Sequence, residues 1–242
     1  GYRYFETFAR DKVRFPFGFG LSYTTFGMAA EFTSGEDSVS ANVTVTNTGS
    51  VPGREVVQIY CEAPQGRLGK PARVLCGFDK TWTIKPGESE RLTIDIPVES
   101  LASYDDSGAT GHRCCWILEG GTYRFYVGAD VRSARECFAL DIPETVVRQC
   151  DSALAPVEGF QRMRNSGGSI AFEEVPLTPD PEPHSHAKLP AEIPQTGDQG
   201  IKLADVYYGR NTLEEFTAQL TDYDLSCIIR GEGMGSPKVT AG

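Results

Sequence analysis

Apolar and polar residues alternate along the middle of the chain, in the pattern of strands with one buried face. Between positions 38 and 46, valine or alanine occupies each odd-numbered position from Val39 to Val45, and serine, threonine or asparagine occupies the even-numbered ones. The same alternation places Leu92, Ile94 and Ile96 on one side of a later segment. A period of two residues predicts a β-strand at both places.

Turn sequences separate these strands from other short apolar runs. Further runs rich in strand-favouring residues lie at 55–61, 72–78, 122–127 and 135–142. Turn-forming sequences lie at 47–50, 85–88 and 120–121. About seven short strands between residues 26 and 146 predict a mainly β fold, an immunoglobulin-like or fibronectin type III-like antiparallel sandwich.

The first 25 residues have a different character. Tyrosines and phenylalanines are crowded along them, together with Pro16 and several glycines. We interpret 1–25 as an irregular joint that ends a preceding domain. Because exposed rings would form an apolar patch, we expect a further domain to pack against them.

Two segments follow the predicted sandwich. Prolines and glycines are frequent in 147–201, which predicts an extended linker. In 202–242 the apolar period becomes helical. Thr212 and Glu215 have the spacing of a capping box, and Leu213, Phe216 and Leu220 would share one face. A second short helix is predicted from Thr221.

Composition narrows the function classes. The net charge is −10 and the pI is about 4.9, so an acidic surface makes nucleic acid an improbable partner. No apolar run approaches the ~20 residues of a membrane-spanning helix. Seven cysteines without a Cys-x-x-Cys pair disfavour a zinc site, and we expect reduced, mostly buried thiols in a bacterial cytoplasm. No cofactor is expected.

The histidines and acidic pairs are explained more simply by solvation, turns and helix capping than by catalysis. His184 and His186 are two residues apart, but no third metal ligand lies near them, and His112 lies in a turn without a nucleophile motif. Acidic pairs occur at 105–106, 173–174 and 214–215, but nothing places two carboxyls across one sugar, roughly 5–10 Å apart. We therefore assign no catalytic residue.

Exposed aromatic rings could instead stack on sugars. Trp82, Trp116, Tyr60 and Tyr104 are candidates for such a platform. Trp116 lies beside an apolar run, which favours packing in the core. Trp82 lies near a turn, and its position is compatible with either the core or the surface.

One stretch carries a family resemblance. Residues 14–26 read Arg-Phe-Pro-Phe-Gly-Phe-Gly-Leu-Ser-Tyr-Thr-Thr-Phe. They resemble the joint between the α/β sandwich domain and the fibronectin type III-like domain of glycoside hydrolase family 3. Segments 55–60, 70–78, 85–89 and 120–128 resemble, in order, parts of that second domain. The resemblance covers about residues 1–139.

The resemblance implies a non-catalytic part of a retaining glycosidase, most simply a β-glucosidase. Because 212–235 resembles the helical entry to the family's (β/α)8 barrel, it implies the reversed order of sandwich, fibronectin-like domain and barrel. The Asp nucleophile and the Glu acid/base of the family would then lie outside this sequence. The glycine-rich loop 231–237 would lie at the barrel entrance, which makes Met234 a candidate for substrate binding. The expected partners are the two catalytic domains, β-linked glucosides or short oligosaccharides bound by the full enzyme, and possible further copies in a homo-oligomer. The alternative is a stand-alone β-sandwich module that binds carbohydrate or protein.

Overall fold

A computed structural model describes residues 1–151, 158–175 and 191–230. The chain divides into two units, residues 1–184 and 185–242. Within the described residues, no helix has the length and apolar character needed to cross a membrane.

The first unit is an antiparallel β-sandwich, which confirms the predicted fold class. Its first ten strands are β1 (Phe26–Ser34), β2 (Ser38–Asn47), β3 (Val56–Glu62), β4 (Val74–Lys80), β5 (Ser89–Pro97), β6 (Ser103–Asp105), β7 (Cys115–Leu118), β8 (Gly121–Gly128), β9 (Arg135–Ile142) and β10 (Thr145–Gln149). One sheet of the sandwich has the strand order β1–β2–β5 and the other has the order β4–β3–β8–β9.

The alternating residues of the sequence form the core between the two sheets. Val39, Ala41, Val43 and Val45 of β2 are fully buried, and Val43 lies opposite Leu92 of β5. From the other sheet, β8 contributes buried aromatic rings, including Phe125. Each fully buried valine or phenylalanine stabilises the fold by about 1.5–3 kcal/mol relative to an exposed one. The alternation of apolar and polar residues in β2 and β5 therefore determines which face of these strands is buried.

Two smaller sheets belong to the same unit. β10, β7 and β6 form a three-stranded sheet, and β11 (Phe160–Ser166) pairs with β12 (Ser169–Val175) in a hairpin. The hairpin lies inside 147–201, where the composition predicted only a linker. Its turn uses Gly167 and Gly168, both with positive φ. Its strands are mostly exposed, so their weak apolar pattern gave no strong strand signal.

The start of the chain is more ordered than predicted. Residues Tyr2–Phe8 form helix α1, followed by a short 3-10 turn at Arg10–Lys12. The sequence predicted an irregular segment because aromatic residues are mediocre helix formers. The helix is too short to be stable alone, so contacts with the sandwich must hold it.

The described residues of the second unit include three short helices: α2 (Leu203–Tyr207), α3 (Leu213–Ala218) and α4 (Asp222–Arg230). The capping box that the sequence predicted at the start of α3 is present. The Glu215 amide donates to Thr212 Oγ1 at 3.1 Å, and the Thr212 amide donates to the Glu215 carboxylate at 3.0 Å. Helix α4 begins where the second helix was predicted, and α2 was not predicted.

Candidate functional site

The aromatic joint is seated on the sandwich by the ring of Tyr2. This ring stacks on Phe17, with centroids 4.6 Å apart, and meets the buried Tyr60 edge-on at 6.2 Å. The Leu75 amide of β4 donates to the Tyr2 hydroxyl at 2.7 Å. One tyrosine therefore joins helix α1, the following loop and two strands of the second sheet.

Gly18 lets the joint approach the sandwich closely. A Cβ at this position would lie 2.5 Å from Gln58 Nε2 and 2.9 Å from the Asp130 Cα, and the residue has a φ of +89°. Beside it, the Val131 amide donates to the Phe17 carbonyl at 3.0 Å. Both space and backbone conformation therefore favour glycine here.

Arg132 binds the other side of the joint. Its guanidinium lies 3.0 Å from the carboxylate of Glu6, whose side chain is almost fully buried. It also donates to the carbonyls of Arg10, at 2.6 Å, and Val13, at 3.3 Å. Neither Glu6 nor Arg132 was identified from the sequence, because no local motif links residues so far apart in the chain.

Large apolar side chains remain exposed along the joint. The exposed fraction is 62% for Phe15, 45% for Phe17 and 48% for Phe19, and Leu21 and Tyr23 are fully exposed or nearly so. The joint therefore has one face fixed on the sandwich and another that no described residue of this unit covers. The ring centroids of Phe15 and Phe19 lie 5.0 Å apart, and neighbouring exposed apolar side chains of this kind are typical of an interaction surface.

The aromatic platform predicted from the sequence is only partly present. Tyr104 and Trp116 lie opposite each other on β6 and β7, with ring centroids 5.5 Å apart. Trp116 is 43% exposed, so the expectation that it packs in the core was wrong. The reason is the strand itself, because Cys115 and Ile117 point inward and Trp116 between them points outward.

The other two candidate rings lie elsewhere. Tyr60 is fully buried and its hydroxyl donates to Gln58 Oε1, so it contributes to the core and not to a platform. Trp82 is 76% exposed, and the Arg54 guanidinium lies 5.5 Å from its ring centroid. A cavity of about 420 Å³ borders Trp116 and is also lined by Arg3, Lys70 and Ser103.

Asp105 organises a loop through its carboxylate. Its carboxylate is buried and accepts hydrogen bonds from the amides and hydroxyls of Ser107 and Thr110 and from the amides of Gly108 and Ala109. Burial alone would raise its pKa, but these hydrogen bonds outweigh burial and hold the pKa below the usual value.

Glu119 is the centre of a buried ion cluster. Its carboxylate forms an ion pair with Lys70 and accepts from the backbone amides of Arg67, at 2.6 Å, and Leu68, at 3.2 Å. Burial opposes ionisation, yet these donors together hold the pKa of Glu119 below its usual value. No sequence pattern indicated this cluster.

Two of the other acidic candidates have structural partners, and three further candidates fall outside the described residues. Glu173 lies 3.3 Å from Arg164, and Glu215 serves the α3 cap. In the part of the chain that the structure describes, no three His, Cys, Asp or Glu side chains are grouped to hold a metal ion. Met234, His184 and His186 lie outside the described residues.

Comparison with known proteins defines the class first. Residues 55–131 match the family model "fibronectin type III-like domain". The match runs from the start of β3 through β8, and β3 is the strand whose Gln58 and Tyr60 contact the joint. The sandwich is therefore a fibronectin type III-like domain.

Relatives extend the match to the whole chain. A β-glucosidase of Ruminococcus albus is 54% identical over 100% of this chain, and β-glucosidase A of Butyrivibrio fibrisolvens is 38% identical over 96%. A crystal structure of a β-glucosidase from Paenibacillus barengoltzii superposes with a TM-score of 0.80 at 48% identity, covering 99% of this chain and 28% of that one.

The chain belongs to glycoside hydrolase family 3, as a region that contains the fibronectin type III-like domain. It spans 26% and 33% of the length of the two curated relatives. The family resemblance of the sequence motifs is thereby confirmed.

Proposed function

We propose that the chain is a bracing region of a multidomain β-glucosidase, and that it supplies scaffold and not catalytic groups. The observation that carries the proposal is the match along the whole chain to β-glucosidases that are three to four times longer. The acidic pairs support it, because Asp105 is fully engaged by its own loop and Glu215 by its helix cap.

The seated joint suggests how such a region would act. Arg132, Tyr2 and Gly18 hold the joint firmly against the sandwich, while the rings of Phe15, Phe19 and Tyr23 remain exposed. A catalytic domain packed on those rings would be fixed in orientation relative to the sandwich. Fixed orientation matters when two domains each contribute a catalytic carboxyl, because reacting groups must be held within fractions of an ångström.

The finer assignments are part of the same proposal. The segments are 1–25 as the end of the α/β sandwich domain and joint, 26–146 as the fibronectin type III-like domain, 147–201 as a connection containing the β11–β12 hairpin, and 202–242 as the entry to a (β/α)8 barrel. The substrates of the full enzyme would be β-linked glucosides or short oligosaccharides, hydrolysed with retention. Met234 would approach the sugar site, and the compartment would be the bacterial cytoplasm.

A stand-alone carbohydrate-binding module is the second candidate. It is favoured by the exposed Tyr104–Trp116 ring pair beside the cavity at Arg3 and Ser103. Exposed rings of this kind can stack on sugars, but the pair is tilted by 59° and so offers no continuous flat surface.

One experiment separates these functions. The purified chain and the product of the longer open reading frame are assayed with an aryl β-glucoside and titrated calorimetrically with β-linked gluco-oligosaccharides. We expect hydrolysis only by the longer product and no heat of binding to the chain alone. Turnover by the pure chain would contradict the scaffold proposal. Binding that is lost in Trp116→Ala but kept in Trp82→Ala would support the module instead.

A further inference from the structure

The backbones of two cysteines are joined just beyond the ends of β7 and β10. Gln149 and Cys115 are the last paired residues of these strands, and Cys150 and Cys114 are their next neighbours outward. The Cys150 amide donates to the Cys114 carbonyl at 2.8 Å, so a backbone hydrogen bond holds the two residues together. All described cysteines are free thiols in the structure.

This backbone contact is compatible with a disulfide. Where such a hydrogen bond joins two residues of neighbouring antiparallel chains, their Cα atoms are typically about 5.5 Å apart. A disulfide requires a Cα separation of about 4.4–6.8 Å. The backbone therefore needs no large movement to join Cys114 and Cys150.

The side chains of both cysteines lie near the same phenol. The pKa of Tyr104 is raised, first by burial, then by a hydrogen bond with the Cys114 side chain and by the proximity of Cys114 and Cys150. Cys115 is oriented differently. It is fully buried, and its Sγ donates to the His112 carbonyl at 3.4 Å.

Cys114 is also held in an unusual conformation by its neighbours. It has a φ of +55°, in the left-handed region that non-glycine residues rarely adopt. Its amide donates to the Asp105 carbonyl at 2.7 Å, and its carbonyl accepts from Cys150. Three segments of chain thus fix this residue before any covalent bond forms.

We propose that Cys114 and Cys150 form a reversible disulfide when the protein meets an oxidised low-molecular-weight disulfide such as glutathione disulfide. The half-buried Cys150 thiolate attacks one sulfur of glutathione disulfide and releases one glutathione thiolate. The Cys114 thiolate then attacks the Cys150 sulfur of the mixed disulfide and releases the second glutathione. Two protein thiols are oxidised, one glutathione disulfide is reduced to two thiols, and the two protons of the protein thiols end on the two glutathione thiolates through solvent.

The bond would close residues 114–150 into a covalent loop and fix β10 at the edge of the β10–β7–β6 sheet. A constraint of this kind stabilises mainly by limiting the unfolded chain. The oxidised protein should therefore unfold at a temperature roughly 5–10 °C higher than the reduced protein. This inference does not depend on the glycosidase assignment.

Peptide mapping of the full chain tests the proposal. The protein is equilibrated with glutathione disulfide, alkylated, and digested with trypsin without reduction. Cleavage after Arg113, Arg124, Arg148 and Arg162 gives peptides 114–124 and 149–162. We expect these two peptides to be joined, with the Cys115 thiol alkylated after unfolding, and we expect reduction to separate them.

Matched variants sharpen the result. Cys150→Ser should abolish both the linked peptide and the rise in melting temperature, whereas Cys137→Ser, which removes an exposed thiol of β9, should change neither. The proposal is overturned if both peptides stay separate in the oxidised wild type, if fragmentation places the bond at Cys115, or if Cys61 and Cys76 are joined instead. Because the mapping is done on the wild type, it does not depend on any variant folding.

Discussion

At the scale of single residues, the fold depends strongly on the buried ion pair of Glu119 and Lys70, because loss of either charge would destabilise it. Their side chains are 3% and 5% exposed. Removing two ions from water is costly, and the cost is offset only while both partners and their hydrogen bonds are present. The surface pair of Lys85 and Glu88, at 3.6 Å, has almost no desolvation cost, because both charges remain in water and are screened by it.

Glu119→Gln should therefore lower the free energy of unfolding by about 3 kcal/mol, since Lys70 would keep its charge in a buried site without a counter-ion. Glu88→Gln is the matched control and should change it by less than about 1 kcal/mol. Urea denaturation at neutral pH, followed by intrinsic fluorescence, measures both. Equal effects of the two substitutions would show that Glu119 does not act through buried charge.

Residue environments were the hardest property to predict from the sequence. The alternation correctly placed Val39 and Val45 in the core, because one strand position determines one face. It could not place Trp116, since the strand that carries it has only four residues and too few positions to set a phase. The cluster at Glu119 depends on a pairing with Lys70 across 49 residues, which leaves no local pattern.

At the scale of elements, the joint behaves as part of the sandwich and not as a free linker. Helix α1 has no side-chain cap at its first residue. Its stability comes instead from Tyr2, Thr7 and Glu6, each bonded to a different part of the sandwich. The sequence indicated that the aromatic rings need a surface, but not that some of them find it within the same chain.

Gly18→Ala should loosen this attachment, because the added Cβ would clash with the Asp130 backbone at 2.9 Å and the φ of +89° would become strained. We expect a loss of about 1–3 kcal/mol and faster amide hydrogen exchange in residues 2–17. Gly20→Ala is the control, since a Cβ at that position would have no other atom within 4 Å. Unchanged exchange in Gly18→Ala would contradict the proposed seating of the joint.

At the scale of the whole molecule, three carboxylates make the fold sensitive to acid. Asp105, Glu119 and Asp130 all have pKa values below their usual ones, because hydrogen bonds to the ionised forms outweigh burial. A group with a lowered pKa in the folded state stabilises the protein above its unfolded pKa. That contribution is lost as the pH falls through the folded value.

The free energy of unfolding should accordingly be nearly constant from about pH 7 to pH 5 and decline steadily below about pH 4.5. Denaturant titrations at several pH values measure this curve. In Glu119→Gln the decline should be shallower, because one of the three groups no longer titrates. A stability that rises on acidification to about pH 3 would contradict the assignment of these shifts.

The fold class was predicted better than the individual elements. Frequent turns and alternating strands define a two-sheet sandwich almost independently of the residues between them, so the fold class followed from the pattern. The β11–β12 hairpin was missed because Arg164 attaches it to the carbonyls of Gly66 and Arg67, which are nearly a hundred residues away. Such long-range anchors have no period in the sequence.

The contacts of Arg132 also define how a mechanical load would pass through the chain. Its guanidinium binds the carbonyls of Arg10 and Val13 and the carboxylate of Glu6. Tension applied at the first residue would therefore enter the sandwich at β4, through Tyr2, and at the β8–β9 corner, through Arg132, before reaching β1, which follows the joint in sequence. The joint would therefore transmit force and torque to the sandwich. A flexible linker would instead stretch or rotate and transmit little of either.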